Sequence, residues 1–212
     1  QKLSRNNSRT IWILKCDIRK FFASIDHQIL LSILKKYILD RDISWLLENI
    51  IESFETARPH PNLLLTGEGI EKPSPRGEGR VRSGVGLPLG NLTSQLFANV
   101  YMNKFDQWVK HKLKAKFYIR YADDFVFLSG DKSWLESIIP HTQKFLQTNL
   151  KLSLHPDKLF LNTLSSGADF LGWVNFSEYR ILRATTKRRM FAHIKEHPTE
   201  ETLQSYLGML GH

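Results

Sequence analysis

A single cysteine, Cys16, is all the thiol in this 212-residue sequence. No internal disulfide can form, and no cysteine-based zinc pattern can be drawn. Cys16 falls inside an apolar alternation, so it is expected to be an inert core thiol in a reducing compartment. Long apolar runs are also missing. None reaches the roughly 18 residues of a membrane span, and the first residues lack the apolar core of a signal peptide. The expectation is a cytoplasmic protein with no membrane partner. Acids are the scarcer charge, 21 against 30 Lys and Arg, which leaves a net +9 and favours a polyanionic partner. There is no internal repeat, which excludes a solenoid. His27, His141 and His155 are scattered and read as ordinary surface or packing residues.

What is present is enough apolar sequence for a sizeable core. At 42%, it supports one domain, or one domain plus an appendage. Periodicity predicts a strand over 11–17, a turn at 18–25, and helices at about 27–38 and 41–54, capped by Asp26 and by Asp40 or Asp42. Residues 57–83 break the pattern with Pro59, Pro61, Pro73, Pro75 and several glycines and basic residues, reading as a loop insert. The segment Gly84-Val-Gly-Leu-Pro-Leu-Gly90 leads into a long helix over 92–115, capped by Asn91. Leu92, Leu96, Val100 and Val109 are expected on its apolar side, extended by Phe97, Phe105 and Leu113. A strand-turn-strand follows around residues 117–128. Then come a helix at 132–150 with Trp134, Leu135, Ile138 and Phe145 inward, strands near 151–154 and 158–162, and a hairpin at 169–182. Helices at 184–196 and 199–209 end the chain. The order gives an α+β fold with an antiparallel sheet covered by helices.

The most informative residues are Tyr121-Ala122-Asp123-Asp124, two adjacent carboxylates at a predicted hairpin tip. Asp17 closes the alternation that begins at Ile11. Three acids gathered from two strand ends repel one another unless a divalent cation lies between them. The most economical use of such a cluster is to hold Mg²⁺ for phosphoryl transfer. The blander reading is a polar turn and a solvated strand end.

The surrounding motifs resemble those of reverse transcriptases. Lys15-Cys-Asp17-Ile-Arg-Lys-Phe21-Phe22 is similar to the first catalytic motif in its bacterial and group II intron form. Gly86-Leu-Pro-Leu-Gly90-Asn91 with Ser94, Gln95 and Asn99 is similar to the template- and nucleotide-contacting motif. Tyr121–Asp124 matches the second catalytic motif. Leu152-Ser-Leu-His-Pro-Asp-Lys158 resembles the lysine-bearing motif, and Phe170-Leu171-Gly172 the primer-grip hairpin. Leu89 and Gln95, where most bacterial reverse transcriptases carry glutamine and proline, resemble the enzymes of diversity-generating retroelements, as does the terminal Leu-Gly-His. In those enzymes the lost glutamine is associated with error-prone copying opposite adenine. Group II intron-like and retron-like enzymes are the alternatives. A nucleotidyl cyclase palm and a nucleic-acid-binding palm without catalysis are the other classes.

This resemblance implies a right-hand polymerase palm over 11–176, preceded by a basic tail at 1–10 and followed by a partial helical thumb at 177–212. It implies an RNA-directed DNA polymerase with two Mg²⁺ ions, or Mn²⁺ in their place, held by Asp17, Ile18, Asp123 and Asp124. Phe22 is implied to be the steric gate against ribonucleotides, with Phe21 in the core. Gly90, Asn91 and Gln95 would contact nucleotide or template, and Tyr121 would floor the primer terminus. Lys158 would protonate or pair with pyrophosphate. Phe170, Leu171 and Gly172 would grip the primer, while Lys187, Arg188 and Arg189 track phosphates. Arg76, Arg80 and Arg82 add charge in the insert. The implied partners are an RNA template, a DNA or RNA primer, deoxynucleoside triphosphates and a basic accessory protein. Departing from the pattern, almost nothing precedes the first motif, where fingers are expected, and the thumb stops early. A fragment, or surface supplied by another subunit, is the expectation, and competence of this chain alone is in question.

Overall fold

β1 (Trp12–Asp17) is the central strand from which the rest of the sheet is built. Its period-2 alternation sends Leu14 and Cys16 into a large core on one face and Ile13 into a smaller one on the other. The computed structural model describes residues 9–54 and 84–210, so the expectations for the tail and for the insert at 57–83 lie essentially outside the described residues. β2 (Tyr118–Tyr121), β3 (Asp124–Ser129) and β4 (Phe160–Thr163) complete an antiparallel sheet in the order β2-β3-β1-β4. The register sets Asp17 directly opposite Asp124. Strand partners share a face, so both acids lie away from the large core.

Four helices back the large core on the other face. α2 (His27–Tyr37) starts at Asp26, whose carboxylate accepts from the Ile29 N–H. α3 (Arg41–Ser53) is capped by Asp40 and packs against α2. α4 (Leu92–His111) and α5 (Lys132–Leu150) cross the sheet. Phe105 of α4 stacks against Trp108 and meets Phe125 of β3 edge-on at 5.1 Å. Tyr101 is fully buried, and its hydroxyl donates to the Leu150 carbonyl at 2.7 Å. The antiparallel sheet with helices on one face is the expected α+β architecture.

Several details differ from expectation. The 18–25 turn holds a short helix, α1 (Phe21–Ser24), entered through Lys20 in the left-handed region. α4 ends at His111, and Leu92 and Leu96 are 80% and 60% exposed rather than inward. Phe97, Phe105 and Val109 are buried as expected, and the rest of the stripe is Ser94, Ala98, Tyr101 and Met102 rather than Leu92 and Leu96. Residues 151–154 make only an isolated bridge, Ile18 to Leu154. Leu152 and Leu154 turn into the helix-side core, and a 3₁₀ turn at Pro156–Lys158 interrupts extension before β4. The single hairpin at 169–182 is a three-stranded meander of β5 (Ala168–Phe170), β6 (Trp173–Asn175) and β7 (Arg180–Leu182). Phe176 and Tyr179 stack at 4.6 Å and close the second turn. α6 (Ala184–Glu196) and α7 (Glu200–Leu210) follow. Among the described residues, no helix is long and apolar enough to cross a membrane.

Candidate active site

Two of the acids face each other because two strands end side by side. Asp17 is the last residue of β1 and Asp124 the first of β3, while Asp123 occupies the β2–β3 turn. Ala122, beside it, has φ +52°. That left-handed conformation costs a non-glycine residue roughly 1–2 kcal/mol. The strained turn brings the Asp123 carbonyl onto the Ile18 N–H at 3.3 Å. Ile18, assigned to the metal site from sequence, is thus held at the acid cluster by its backbone.

Electrostatically, the cluster is out of balance. Burial raises the Asp123 carboxyl above the ordinary carboxylate range, and the nearby charges of Asp17 and Asp124 push the same way. Burial likewise raises Asp124; Lys15 partly opposes this, while Asp17 adds to it. Asp124 Oδ1 is buried without a hydrogen bond, and its nearest cation is Lys15 Nζ at 3.7 Å. Lys158 Nζ donates to Asp17 Oδ2 at 3.0 Å, and that hydrogen bond raises the lysine's pKa. Two lysines therefore supply part of the positive charge that the sequence argument assigned wholly to metal. Lys15, absent from the sequence-based assignments, was detectable by its inward alternation with Ile13 and Asp17.

The chemistry of the donors fits a hard divalent cation: carboxylate oxygens, one of them buried and unpartnered, in a cluster short of positive charge. Their arrangement is open. Among the described residues, no three His, Cys, Asp or Glu side chains converge as a metal-holding group.

The residues that the sequence resemblance assigns to nucleotide lie around α1 and the start of α4. Phe21 is buried as expected, and its ring meets Phe22 edge-on at 5.3 Å. Phe22 is half-buried, and its carbonyl accepts from the Leu87 N–H at 2.8 Å. Gly86 N–H donates to the Ile25 carbonyl, and His27 Nε2 lies 2.7 Å from the Gly86 carbonyl, a packing role for that histidine. Gly90 has φ +84°, and a Cβ there meets nothing within 4 Å, so its freedom serves the backbone turn. Asn91 caps α4 by accepting from the Thr93 N–H, while Gln95 and Tyr121 are exposed.

A third group lies at the β5–β6 turn. Phe170 is half-buried against the smaller core, while Leu171 and Gly172 both have positive φ, the signature of a tight type I′ hairpin. The Gly172 carbonyl accepts from Arg183 N–H at 3.0 Å, and the Arg183 guanidinium pairs with Asp169. The start of α6 is thereby docked on this turn. Lys187, Arg188 and Arg189 are exposed on that helix. Arg120, also missed from sequence, lies on the inward side of β2 and hydrogen-bonds Asp106, Asn99 and the Ala122 carbonyl. An arginine alternating with exposed Ile119 and Tyr121 was its signal.

A helix-backed antiparallel sheet with acids at adjoining strand ends is the palm-like fold of right-hand polymerases. Two solved telomerase structures share it. The apo telomerase from Candida tropicalis, truncated from its C-terminal domain, superposes with a TM-score of 0.53 at 11% identity, over 85% of this chain and 37% of that one. The telomerase from Candida tropicalis in complex with a TWJ fragment of telomeric RNA gives 0.54 at 12% identity, over 92% and 34%. The chain belongs to the reverse transcriptase (RNA-dependent DNA polymerase) family, whose model matches residues 1–175. Among curated proteins it is similar to Protein YkfC of Escherichia coli strain K12, at 24% identity over 78% of this chain and 47% of that protein. It is also similar to the Putative COX1/OXI3 intron 2 protein of Saccharomyces cerevisiae, at 20% identity over 88% of this chain and 26% of that protein. The chain therefore spans less than half the length of these curated relatives. Family membership implies divalent-metal chemistry in general.

Proposed function

We propose that this chain carries the catalytic palm of an RNA-directed DNA polymerase, adding deoxynucleotides to a primer 3′-hydroxyl on an RNA template. The observation that supports this most is the Asp17–Asp124 register, with Asp123 beside it in a turn whose carbonyl meets the Ile18 N–H. Asp17, Asp123 and Asp124 would hold two Mg²⁺, or Mn²⁺, with Ile18 contributing its main chain. When bound, such ions activate the hydroxyl and stabilise the leaving pyrophosphate. Lys158, now on Asp17, is placed to pair with or protonate pyrophosphate. Tyr121, exposed beside the acids, would floor the primer terminus, and Phe170, Leu171 and Gly172 would grip the primer strand. Gly90, Asn91 and Gln95 would face nucleotide and template. Residues 177–212 would begin a thumb, with Lys187, Arg188 and Arg189 along the phosphates. Leu89 and Gln95 support an error-prone enzyme of a diversity-generating retroelement, working with a basic accessory protein.

A second reading, a nucleic-acid-binding palm without chemistry, is favoured by the open acid arrangement and the Asp17–Lys158 ion pair. Primer extension on an RNA template, with deoxy- and ribonucleotides compared, separates the two. The polymerase reading expects Mg²⁺-dependent deoxynucleotide addition, and Phe22→Ala should admit ribonucleotides at least about tenfold better. Tight primer–template binding with no extension at any metal concentration would leave the binding reading.

A further inference from the structure

We infer that Arg120 is the positioning residue of the acid-bearing turn, an inference that rests on the polymerase reading for its catalytic consequence but not for its structural one. Its guanidinium makes a two-pronged contact with Asp106 of α4, Nε to Oδ1 at 2.9 Å and Nη2 to Oδ2 at 2.6 Å. The remaining nitrogen, Nη1, donates to the Ala122 carbonyl at 3.0 Å and to Asn99 Oδ1 at 3.2 Å. The side chain is only 10% exposed. Burial alone would weaken its charge, but the hydrogen bonds and negative charge of Asp106, with Tyr118, together outweigh that and leave its pKa raised. Tyr118 donates to Asp106 Oδ1 at 2.7 Å, the oxygen that also accepts from Arg120 Nε, so two side chains of β2 hold this carboxylate.

The consequence lies one residue on. Ala122 is held in the left-handed region, and its carbonyl begins the peptide that carries Asp123. The carbonyl of Asp123 itself accepts from Ile18 N–H on the other side. The turn is thus pinned at two successive carbonyls, one by Arg120, itself anchored to Asp106 of α4, and one by the backbone N–H of Ile18, the residue after β1. An ordinary buried ion pair would stop at Asp106; here the third nitrogen reaches out to the strained peptide. Lysine offers a single point charge and cannot span Asp106 and the Ala122 carbonyl with the same fork. Asn99 adds a contact from α4, the helix that Asn91 caps and that carries Gln95, so the turn is braced against the element proposed to meet the template.

The test uses the full chain as wild type, Arg120→Lys and Asn99→Ala. Amide hydrogen exchange is read residue by residue, and extension kinetics are read on the same samples. Arg120→Lys should accelerate exchange at Ile18 by about tenfold or more while core amides such as Phe127 hold their wild-type rates. Asn99→Ala should shift Ile18 in the same direction by less. Extension by Arg120→Lys should lose kcat by about 10- to 100-fold with little change in the KM for deoxynucleotide, because the variant misplaces reacting groups rather than weakening binding. Wild-type exchange at Ile18 in folded Arg120→Lys would overturn the inference, as would uniform acceleration of every amide, which marks a purely structural ion pair. If Arg120→Lys fails to fold, an unchanged Ile18 in Asn99→Ala overturns it. A local exchange effect in a chain that extends nothing would keep the positioning role and sink the polymerase reading.

Discussion

Asp123 shows what a half-buried carboxylate costs the fold that carries it. Its carboxyl is raised above the ordinary value of 3.8, first by burial and then by Asp17 and Asp124. A raised folded-state pKa means the folded chain holds this proton more tightly than the unfolded chain. Stability is therefore unpenalised at pH values well below 3.8. It falls as pH rises through the unfolded and then the folded value, and stays lower at neutrality. Metal-free Asp123→Asn should accordingly melt a few degrees above wild type at pH 7, with the difference vanishing near pH 3. A melting curve at each pH checks this, and a lower melting point at neutrality would mean that Asp123 is better compensated than its surroundings indicate. Asp26 has the opposite sign. Burial would raise it, but Lys151 and the Ile29 N–H together bring it below its ordinary value. Its contribution is present above 3.8 and is lost as pH falls through the lowered folded value. Both residues were visible in the sequence, one as a cap and one in a paired-acid turn. The ion pairs around them were not, because Lys151 lies 125 positions from Asp26, and Lys158, legible as a site lysine, lies 141 from its partner Asp17.

Elements were legible where one periodicity dominated. β1 alternates cleanly, and α2 and α3 start at side chains that cap them, so these fell close to the expected bounds. α4 is legible as a helix, with Phe97, Phe105 and Val109 on the expected side and Leu92 and Leu96 off it. Leu92 and Leu96 read as core from hydrophobicity alone, yet the stripe that packs is set by what β3 and α5 present to it, including Tyr101 and Phe105. The meander was harder still, since three-residue strands carry too short a pattern to count. Its β5–β6 turn makes its own prediction. Leu171 adopts φ +53° with its side chain 47% exposed. Replacing it with glycine removes left-handed strain and little packing, so Leu171→Gly should stabilise the fold by about 0.5–1 kcal/mol in chemical denaturation. If the turn grips a primer, the same variant should bind primer–template more weakly. Destabilisation would show that the leucine packs against something beyond its strained backbone.

At the scale of the whole molecule, the sheet and its helical backing belong to the reverse transcriptase family, while the chain spans 47% and 26% of the two curated relatives described above. The five motifs read from the sequence could be ordered but not arranged, because spacing along a chain does not say that Asp17 and Asp124 are strand partners. Register does: it sets Asp17 opposite Asp124, with Asp123 in the adjoining turn. The excess of positive charge, +9 overall, should make primer–template affinity fall steeply with salt whichever reading holds. Salt dependence therefore cannot choose between polymerase and binding module. The acids can. The decisive measurement is the single-turnover rate of deoxynucleotide addition to a primer on an RNA template, in Mg²⁺ and in Mn²⁺, for wild type beside Asp17→Asn and Asp123→Asn. The polymerase account predicts measurable addition by wild type and a loss of at least about 10³-fold in each variant, with primer–template affinity retained. Addition by either variant at a rate near wild type would contradict it.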